Sequence, residues 1–226
     1  MNIRCLGVLF DLDGVLVDST PAVARCWTKW SLLHGFVPEE VVRRAHGRPS
    51  MTTLRELLPN ADHQAENRQM ERWEIEDISD VVALPGAVQL LQALPPERWA
   101  IVTSCTRPLA EVRIRAGGLP WPKHLVTSAD VQRGKPDPEP YIKGATCLGL
   151  APADCIVVED APAGIRAGKA AGASVLALRT AETDAELTAA GADWIVADLS
   201  SVHLNASSTT DHLELLLRGP SHPQTP

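Results

Sequence analysis

Short apolar runs alternate with helical segments along most of this chain, and this alternation constrains the fold more than any other feature. Beyond Pro85 and Gly86, strands are predicted at Trp99 to Thr103, His124 to Thr127, Cys155 to Val158, Ser174 to Leu178 and Trp194 to Val196. The helices predicted between them span Ala87 to Leu94, Leu109 to Ala116, Tyr141 to Leu148, Ala163 to Ala171 and Ala185 to Ala190. This order favours an α/β fold, in which helices cover both faces of a parallel sheet.

A helical segment interrupts the alternation after the first strand. That strand is predicted over Arg4 to Phe10, a mostly apolar run typical of a buried parallel strand. The helices predicted next are Pro21 to His34, Pro38 to Ala45, Met51 to Leu58 behind a Ser50 cap, and the charged stretch from Asp62 to Ile78. We therefore expect a core of residues 1–16 and 83–200, an inserted helical cap of residues 17–82, and a partly disordered tail of residues 201–226 with a possible helix at Asp211 to Arg218.

Composition and charge argue against several classes of protein. The net charge is −7 and no basic stripe is present, so nucleic acid is not an expected partner. No apolar run approaches the roughly 20 residues of a membrane-spanning helix, and the apolar N-terminus leads into Asp11 without a signal-peptide cleavage site. The five cysteines are widely spaced and form no CxxC pair, which favours free thiols in a reducing compartment. We therefore expect a cytoplasmic protein with no membrane contact, monomeric or weakly dimeric.

Polar side chains follow the predicted strands at several points. In open parallel sheets, ligands bind beyond the carboxyl ends of the strands. The polar groups at these positions are Asp11 and Asp13 after the first strand, Thr103 and Ser104 at the end of the strand that starts at Trp99, Lys135 in a loop, and Glu159 and Asp160 after the strand that starts at Cys155. Any one of them could be an ordinary cap or turn residue, but the whole set in this order indicates a binding site.

The carboxylates at these strand ends need a cation. Asp11 and Asp13 are two residues apart, so an extended backbone directs both side chains to one side. Glu159 and Asp160 would add to the repulsion, because unit charges at about 4 Å repel by roughly 4 kcal/mol at an effective dielectric of 20. A hard divalent cation relieves this repulsion, and oxygen ligands favour Mg²⁺. Gly14, which follows Asp13, lets the chain turn sharply.

These segments resemble the motifs of the haloacid dehalogenase-like phosphohydrolases. FDLDGVLVDS at residues 10–19 resembles the first motif, DxDGxxxDS, and VTS at residues 102–104 resembles the second. Lys135 in RGKPDPEPY resembles the lysine of the third motif, and VVEDAPAGI at residues 157–165 resembles the fourth. The resemblance covers about residues 4–200. It implies a Rossmann-like parallel-sheet core with an inserted small α-helical cap domain.

The resemblance implies a role for each carboxylate. Asp11 is expected to be the nucleophile that attacks phosphorus and forms an aspartyl-phosphate. Asp13 is expected to protonate the leaving alkoxide and then to activate the attacking water. Mg²⁺ is expected to be held by Asp11, Asp160 and the backbone carbonyl of Asp13, with Glu159 acting through a metal-bound water.

Other residues are expected to bind the phosphate group. Lys135 would pair with both the phosphate and Asp11, which keeps the nucleophile deprotonated beside its acidic neighbours. Ser104 and the backbone N–H of Cys105 would hold the phosphate, with Thr103 as the alternative to Ser104.

The cap is expected to contact the leaving group. HGRPSMTTL at residues 46–54 resembles the cap loop of the sugar-phosphate and glycerol-phosphate phosphatase branch, which is related to β-phosphoglucomutase. His46, Arg48 and Ser50 are the candidate substrate-binding residues of this loop, although ordinary loop and helix-cap chemistry explains them equally well. Ser50 stands where the mutase has an arginine, which favours a phosphatase.

These observations predict a Mg²⁺-dependent phosphatase that acts on small sugar or polyol phosphates, so the expected partner is a small phosphorylated metabolite. A phosphomutase similar to β-phosphoglucomutase is the nearest enzymatic alternative. A phospho-acceptor signalling module is the alternative from another class, because it also combines an acceptor aspartate, Mg²⁺ and a lysine on a parallel sheet. That module needs neither a second aspartate nor an inserted cap, and it is much shorter than this chain.

Overall fold

A computed structural model describes residues 1–45, 50–205 and 212–218 of the chain. Its strands are β1 (Asn2–Cys5), β2 (Gly7–Phe10), β3 (Val17–Asp18), β4 (Val82–Ala83), β5 (Trp99–Val102), β6 (Leu125–Val126), β7 (Cys155–Glu159), β8 (Ser174–Leu178), β9 (Trp194–Val196), β10 (Val202–Leu204) and β11 (Leu213–Leu217). Its helices are α1 (Thr20–His34), α2 (Pro38–Ala45), α3 (Ser50–Leu57), α4 (His63–Glu76), α5 (Ala87–Ala93), α6 (Arg107–Ala116), α7 (Glu139–Cys147), α8 (Pro162–Ala170) and α9 (Asp184–Ala190). Among these helices, none combines the length and the hydropathy of a bilayer-spanning segment.

Six of the described strands form a parallel sheet in the order β6-β5-β2-β7-β8-β9. β2 lies inside the sheet, with β5 and β7 on either side. Successive side chains of β2 face opposite sides, so Val8 and Phe10 pack into one apolar cluster and Leu9 packs into another. Apolar clusters therefore cover both faces of the sheet, which explains why its inner strands are apolar throughout rather than alternating.

The predicted first strand is wrong in one respect, because the chain forms two strands there. β1 and β2 are separated by a bend at Leu6, whose N–H donates to the carbonyl of Asp154 at 2.7 Å. β2 belongs to the parallel sheet, whereas β1 pairs with β11 in a separate antiparallel sheet. At Gly7, which begins β2, a Cβ would lie only 2.7 Å from the side chain of Leu150. The break is thus set by tertiary contacts, and the single Gly7 beside it is too weak a signal to mark it in the sequence.

The predicted loose tail is wrong for the C-terminal residues that the structure describes. β11 takes the place of the possible helix and lies between β1 and β10 in an antiparallel sheet. Its buried leucines are Leu213, Leu215 and Leu217. Glu214 alternates with them and is also buried, and its carboxylate accepts hydrogen bonds from the amides of Asn2 and Asn205. The strand forms because its partner is the N-terminal segment. Residues 206–211 and 219–226 of the predicted tail lie outside the described residues.

The helices α1 to α4 lie between β3 and β4 in the chain. They pack around an apolar cluster of their own, to which Trp27, Trp30 and Met70 belong. β3 and β4 pair antiparallel, so the chain leaves the core and returns to it through neighbouring strands. Ser50 is the first residue of α3, and its hydroxyl donates to Oδ1 of Asn67 at 2.6 Å instead of capping the helix as predicted. The predicted fold class, a Rossmann-like α/β core with an inserted helical segment, is confirmed.

We expect Leu215→Ala to lower the free energy of unfolding by about 2–4 kcal/mol, because it removes a buried side chain from the middle strand of the antiparallel sheet. Leu216→Ala, at a partly exposed position of the same strand, is the matched control, with an expected loss below about 1.5 kcal/mol. Urea unfolding followed by tryptophan fluorescence measures both losses. Equal losses would contradict the packing of β11 into the core.

Candidate active site

Three carboxylates meet where β2 and β7 end. The two strands are parallel neighbours, with Phe10 opposite Val158, so Asp11 follows β2 beside the end of β7. One carboxylate oxygen from each of Asp11, Glu159 and Asp160 lies within 4.8 Å of the other two. Little of these side chains is open to solvent. The sheet thus brings together three of the four acidic residues that were predicted for the site.

The ammonium group of Lys135 lies inside this cluster. Its Nζ donates to Oδ1 of Asp11 at 2.5 Å, to Oε1 of Glu159 at 2.7 Å and to the carbonyl of Val102 at 3.0 Å. Burial by itself would lower the pKa of Lys135, but the two carboxylates raise that pKa above its usual range. Lys135 therefore remains a cation in a buried position and holds Asp11 in one orientation.

The cluster still has more acidic groups than one ammonium can balance. Burial raises the pKa of Asp11 from 3.8 to about 7, although Lys135 acts against the shift. Burial also raises the pKa of Asp160 well above its usual value, and the neighbouring Glu159 and Asp11 add to the shift. A further cation would relieve this excess of negative charge. Because the donors are all oxygens, the residues present could hold a hard divalent ion such as Mg²⁺.

Glu159 is held by protein groups on both of its oxygens. Oε1 accepts hydrogen bonds from Lys135 and from the hydroxyl of Tyr141, the latter at 2.7 Å. Oε2 accepts from the backbone N–H groups of Asp160 and Ala161. With these partners, Glu159 has little lone-pair capacity left for direct contact with a metal. Tyr141, on α7, was not predicted as a residue of the site. The one feature of the sequence that could have indicated it is its position at the end of the RGKPDPEPY segment, which contains Lys135.

Two glycines bring the backbone against these carboxylates. At Gly164 in α8, a Cβ would lie 1.7 Å from Oε1 of Glu159. At Gly14, a Cβ would lie 1.9 Å from Oδ2 of Asp160, and the φ of +76° is one that L residues rarely adopt. A larger residue at either position would push a carboxylate out of the cluster.

The side chain of Asp13 has a different set of partners. Oδ1 accepts a hydrogen bond from the hydroxyl of Ser19 at 2.7 Å. Oδ2 accepts from Nη1 of Arg113 at 2.8 Å and from the thiol of Cys105 at 3.1 Å. Among the described residues, the carboxylates close enough to share a metal do not include that of Asp13. The expectation for Asp13 as a metal ligand therefore concerns its backbone carbonyl.

Ser104 and Cys105 follow the end of β5, which is the parallel neighbour of β2. Thr103 is buried, and its hydroxyl accepts a hydrogen bond from the Cys105 N–H at 3.1 Å. Ser104 is exposed and is thus the more accessible hydroxyl for a phosphate. The Cys105 N–H already has a partner, with which a phosphate would compete. The Cys105 thiol is a weak nucleophile, because burial and the neighbouring Asp13 raise its pKa.

Of the three substrate-binding residues predicted in the cap loop, the structure describes Ser50 alone. His46 and Arg48 lie outside the described residues. Ser50 is described, and its hydroxyl is bonded to Asn67 of α4, within the helical segment.

The helical segment contacts the core near Asp13 through α4. Glu71 accepts a hydrogen bond from the hydroxyl of Thr106, and Glu74 pairs with Nη2 of Arg113 at 2.6 Å. Neither glutamate nor Arg113 was predicted, because charged residues on a polar helix are ordinarily solvated and no sequence pattern sets these apart.

Proteins of known activity resemble this chain over most of its length. A family model described as haloacid dehalogenase-like hydrolase matches residues 6–172. Hexitol phosphatase A of Escherichia coli (strain K12) is 49% identical over 180 residues, which cover 77% of this chain and 83% of that protein. Glycerol-1-phosphate phosphohydrolase 2 of Saccharomyces cerevisiae is 33% identical over 229 residues, covering 96% and 92%. The solved structure of a hydrolase from Pseudomonas syringae has a TM-score of 0.76 and 29% identity, covering 86% of this chain and 94% of that one.

We expect Gly164→Ala to lower the free energy of unfolding by about 1–3 kcal/mol, because the added methyl group displaces Glu159 or shifts α8. Gly134→Ala is the matched control, because no described heavy atom lies within 4 Å of the position that a Cβ would take there. The free energy of unfolding of this variant should be unchanged or raised by up to about 1 kcal/mol. Urea unfolding in metal-free buffer measures the difference. If the two variants were equally stable, Glu159 would not be packed against α8.

Proposed function

Because the chain belongs to the haloacid dehalogenase-like hydrolases and is a phosphoric monoester hydrolase, we propose that it hydrolyses small sugar or polyol phosphates through a phosphorylated Asp11. The observation that carries this proposal is the buried contact of Lys135 with Asp11 and Glu159, beside Asp160. A carboxylate held in one orientation by an ammonium group is suited to nucleophilic attack. The names of the two curated relatives support a polyol phosphate as the substrate class.

The first half of the proposed reaction transfers the phosphoryl group to Asp11. Lys135 holds Oδ1, which leaves Oδ2 to attack phosphorus in line. As the new O–P bond forms, the bond between phosphorus and the ester oxygen breaks, and Asp13 gives a proton to that oxygen. The alcohol leaves in its neutral form, while Ser104 binds an oxygen of the transferred group. Lys135 binds another by exchanging one of the three hydrogen bonds that its ammonium group donates in the free protein.

The second half releases phosphate. A water molecule attacks the phosphorus of the aspartyl-phosphate, and Asp13, now a carboxylate, takes a proton from that water. The bond between phosphorus and the Asp11 oxygen breaks, so inorganic phosphate leaves and both aspartates return to their starting forms. One residue thus serves as acid and then as base, which is typically worth about 10²–10⁴ in rate.

The acidic cluster is the proposed magnesium site. Asp11, Asp160 and the backbone carbonyl of Asp13 would hold the ion, with Glu159 outside its direct contacts. The oxygen-only donor set and the excess of carboxylates over Lys135 support this assignment. When bound, Mg²⁺ supplies neutralisation and orientation of the phosphoryl oxygens.

Residues 17–82 are the proposed cap and residues 1–16 and 83–200 the proposed core. The contacts of α4 with Thr106 and Arg113 support a cap that closes beside Asp13, excludes water and meets the leaving group. His46 and Arg48 remain the proposed contacts of the cap with substrate. The five free cysteines support a reducing, cytoplasmic location, and a monomer or weak dimer remains the proposed state.

We expect Asp11→Asn to lower kcat for phosphate release at least about 10³-fold, because an amide is a poor nucleophile while the side chain keeps its shape. Asp184→Asn, whose carboxylate pairs with Arg179 at the surface, is the matched control and should keep kcat within about twofold. Release of inorganic phosphate from a panel of sugar, polyol and nucleotide phosphates, without a bisphosphate activator, measures both. Substantial release by Asp11→Asn would refute the nucleophile, and a requirement for a bisphosphate would indicate a mutase.

We expect Mg²⁺ to raise the melting temperature more at pH 8 than at pH 5. The pKa of Asp11 is about 7 in the metal-free fold against an ordinary 3.8, so protonation of this group stabilises the fold fully below about pH 4, and this contribution is lost as the pH rises through 7. At higher pH, bound Mg²⁺ would neutralise the negative charge of these carboxylates. The rise in melting temperature that Mg²⁺ causes should therefore grow between about pH 4 and pH 7.

Thermal unfolding in EDTA and in excess Mg²⁺ measures this effect, and Asp160→Asn is the variant in which it should shrink. Phosphate release should also cease in EDTA and return with Mg²⁺. Equal stabilisation at both pH values, or full phosphate release after exhaustive chelation, would contradict the proposed metal site.

A further inference from the structure

Arg113 is a buried cation that the proposed mechanism does not use. Its side chain, on α6, is 5% exposed. Nη1 donates to Oδ2 of Asp13 and Nη2 donates to Oε2 of Glu74, at 2.8 Å and 2.6 Å. Within the described residues, Nε has no hydrogen-bond partner. Burying a guanidinium costs several kcal/mol unless its partners compensate, so the two carboxylates account for the presence of Arg113 here.

Glu74 connects this arginine to the helical segment. Burial raises the pKa of Glu74, and the contact with Arg113 opposes that shift. About one turn earlier on α4, Glu71 accepts a hydrogen bond from Thr106, the residue before α6. α4 therefore contacts this end of the core through Glu71 and through Glu74. The contact of Glu74 is with Arg113, which in turn donates a hydrogen bond to Asp13.

The two oxygens of Asp13 are held with unequal strength. Oδ2 accepts from a guanidinium and a thiol, whereas Oδ1 has the hydroxyl of Ser19 as its one partner among the described residues. Arg113 adds the attraction of an opposite charge to its hydrogen bond with the carboxylate, whereas Ser19 offers a neutral donor. A substrate oxygen can therefore displace Ser19 from Oδ1 far more readily than it can displace Arg113 from Oδ2.

We propose that Arg113 is a positioning residue, which holds Oδ2 of Asp13 and thereby directs Oδ1 at the oxygen of the leaving group. Because Oδ2 accepts from Arg113, the proton that passes to the leaving group is carried by Oδ1. Glu74 fixes the guanidinium in turn, so the position of α4 determines the placement of Asp13. The inference rests on the proposed function, in which Asp13 protonates the departing alcohol.

Two leaving groups separate this role from a purely structural one. The polyol phosphate that the wild-type protein hydrolyses fastest releases an alkoxide that needs a proton, whereas p-nitrophenyl phosphate releases a stable phenolate that does not. We expect Arg113→Gln to lower kcat for the polyol phosphate about 10²-fold, with KM changed less than about threefold. The rate of the initial burst of p-nitrophenolate, measured by rapid mixing, should fall less than about fivefold.

Two milder variants support the comparison. Arg113→Lys retains the charge but lacks the fork that reaches both carboxylates, so its loss on the polyol phosphate should lie between those of wild type and Arg113→Gln. Glu74→Gln retains an acceptor for Nη2 and should show a smaller loss with the same preference for p-nitrophenyl phosphate. Urea unfolding establishes that each variant is folded, and these two carry the test if Arg113→Gln does not fold.

The outcomes distinguish the inference from the function on which it rests. Equal losses on both substrates, or no loss on either, would overturn the positioning role and leave the proposed function intact. A wild-type protein that releases phosphate from no polyol or sugar phosphate would refute the proposed function itself.

Discussion

The contact of Lys135 with Asp11 and Glu159 is the interaction on which the rest of the site depends. Three carboxylates at the ends of neighbouring strands would otherwise repel one another where little water can screen them. Lys135 lies 124 residues beyond Asp11 in the chain, and the parallel sheet allows them to meet because its strands all end at one edge. One ammonium cannot balance three carboxylates, so the site favours a further cation. The excess charge and the all-oxygen donor set thus support the proposed metal site independently of the sequence motifs.

Rigid supports fix the positions of these charges. Glu159 accepts hydrogen bonds from Lys135, from Tyr141 and from two backbone N–H groups, so its orientation is determined before any ligand binds. Gly164 and Gly14 allow the backbone to approach to distances that a Cβ would forbid. Such fixed donors and charges need no reorganisation during a reaction, which is the usual source of large electrostatic effects in enzymes.

The sequence predicts the strand-end residues well, because Asp11 and Glu159 follow apolar runs that locate their own strands. Tyr141 and Arg113 could not be predicted in the same way, since they reach the site from helices whose facing is decided by tertiary packing. The strand β11 could not be predicted from the sequence either. Its pattern of leucines suits a helix or a strand, and its partner β1 lies at the opposite end of the chain. Local periodicity carries no information about such a pairing.

Asp11 and Asp13 are two residues apart, yet different parts of the molecule hold their side chains. Asp11 is oriented by Lys135 of the core, whereas Asp13 is linked through Arg113 to Glu74 of α4. A displacement of α4 would therefore alter Asp13, the proposed proton-transfer group, without disturbing Asp11, the proposed nucleophile, or the acidic cluster. Contacts between a substrate and the helical segment could thus control the departure of the alcohol while the phosphoryl-binding half stays preorganised. Within the described part of the chain, Asp13 is connected to the inserted helices and Asp11 is not, so the orientations of the two aspartates would be controlled separately.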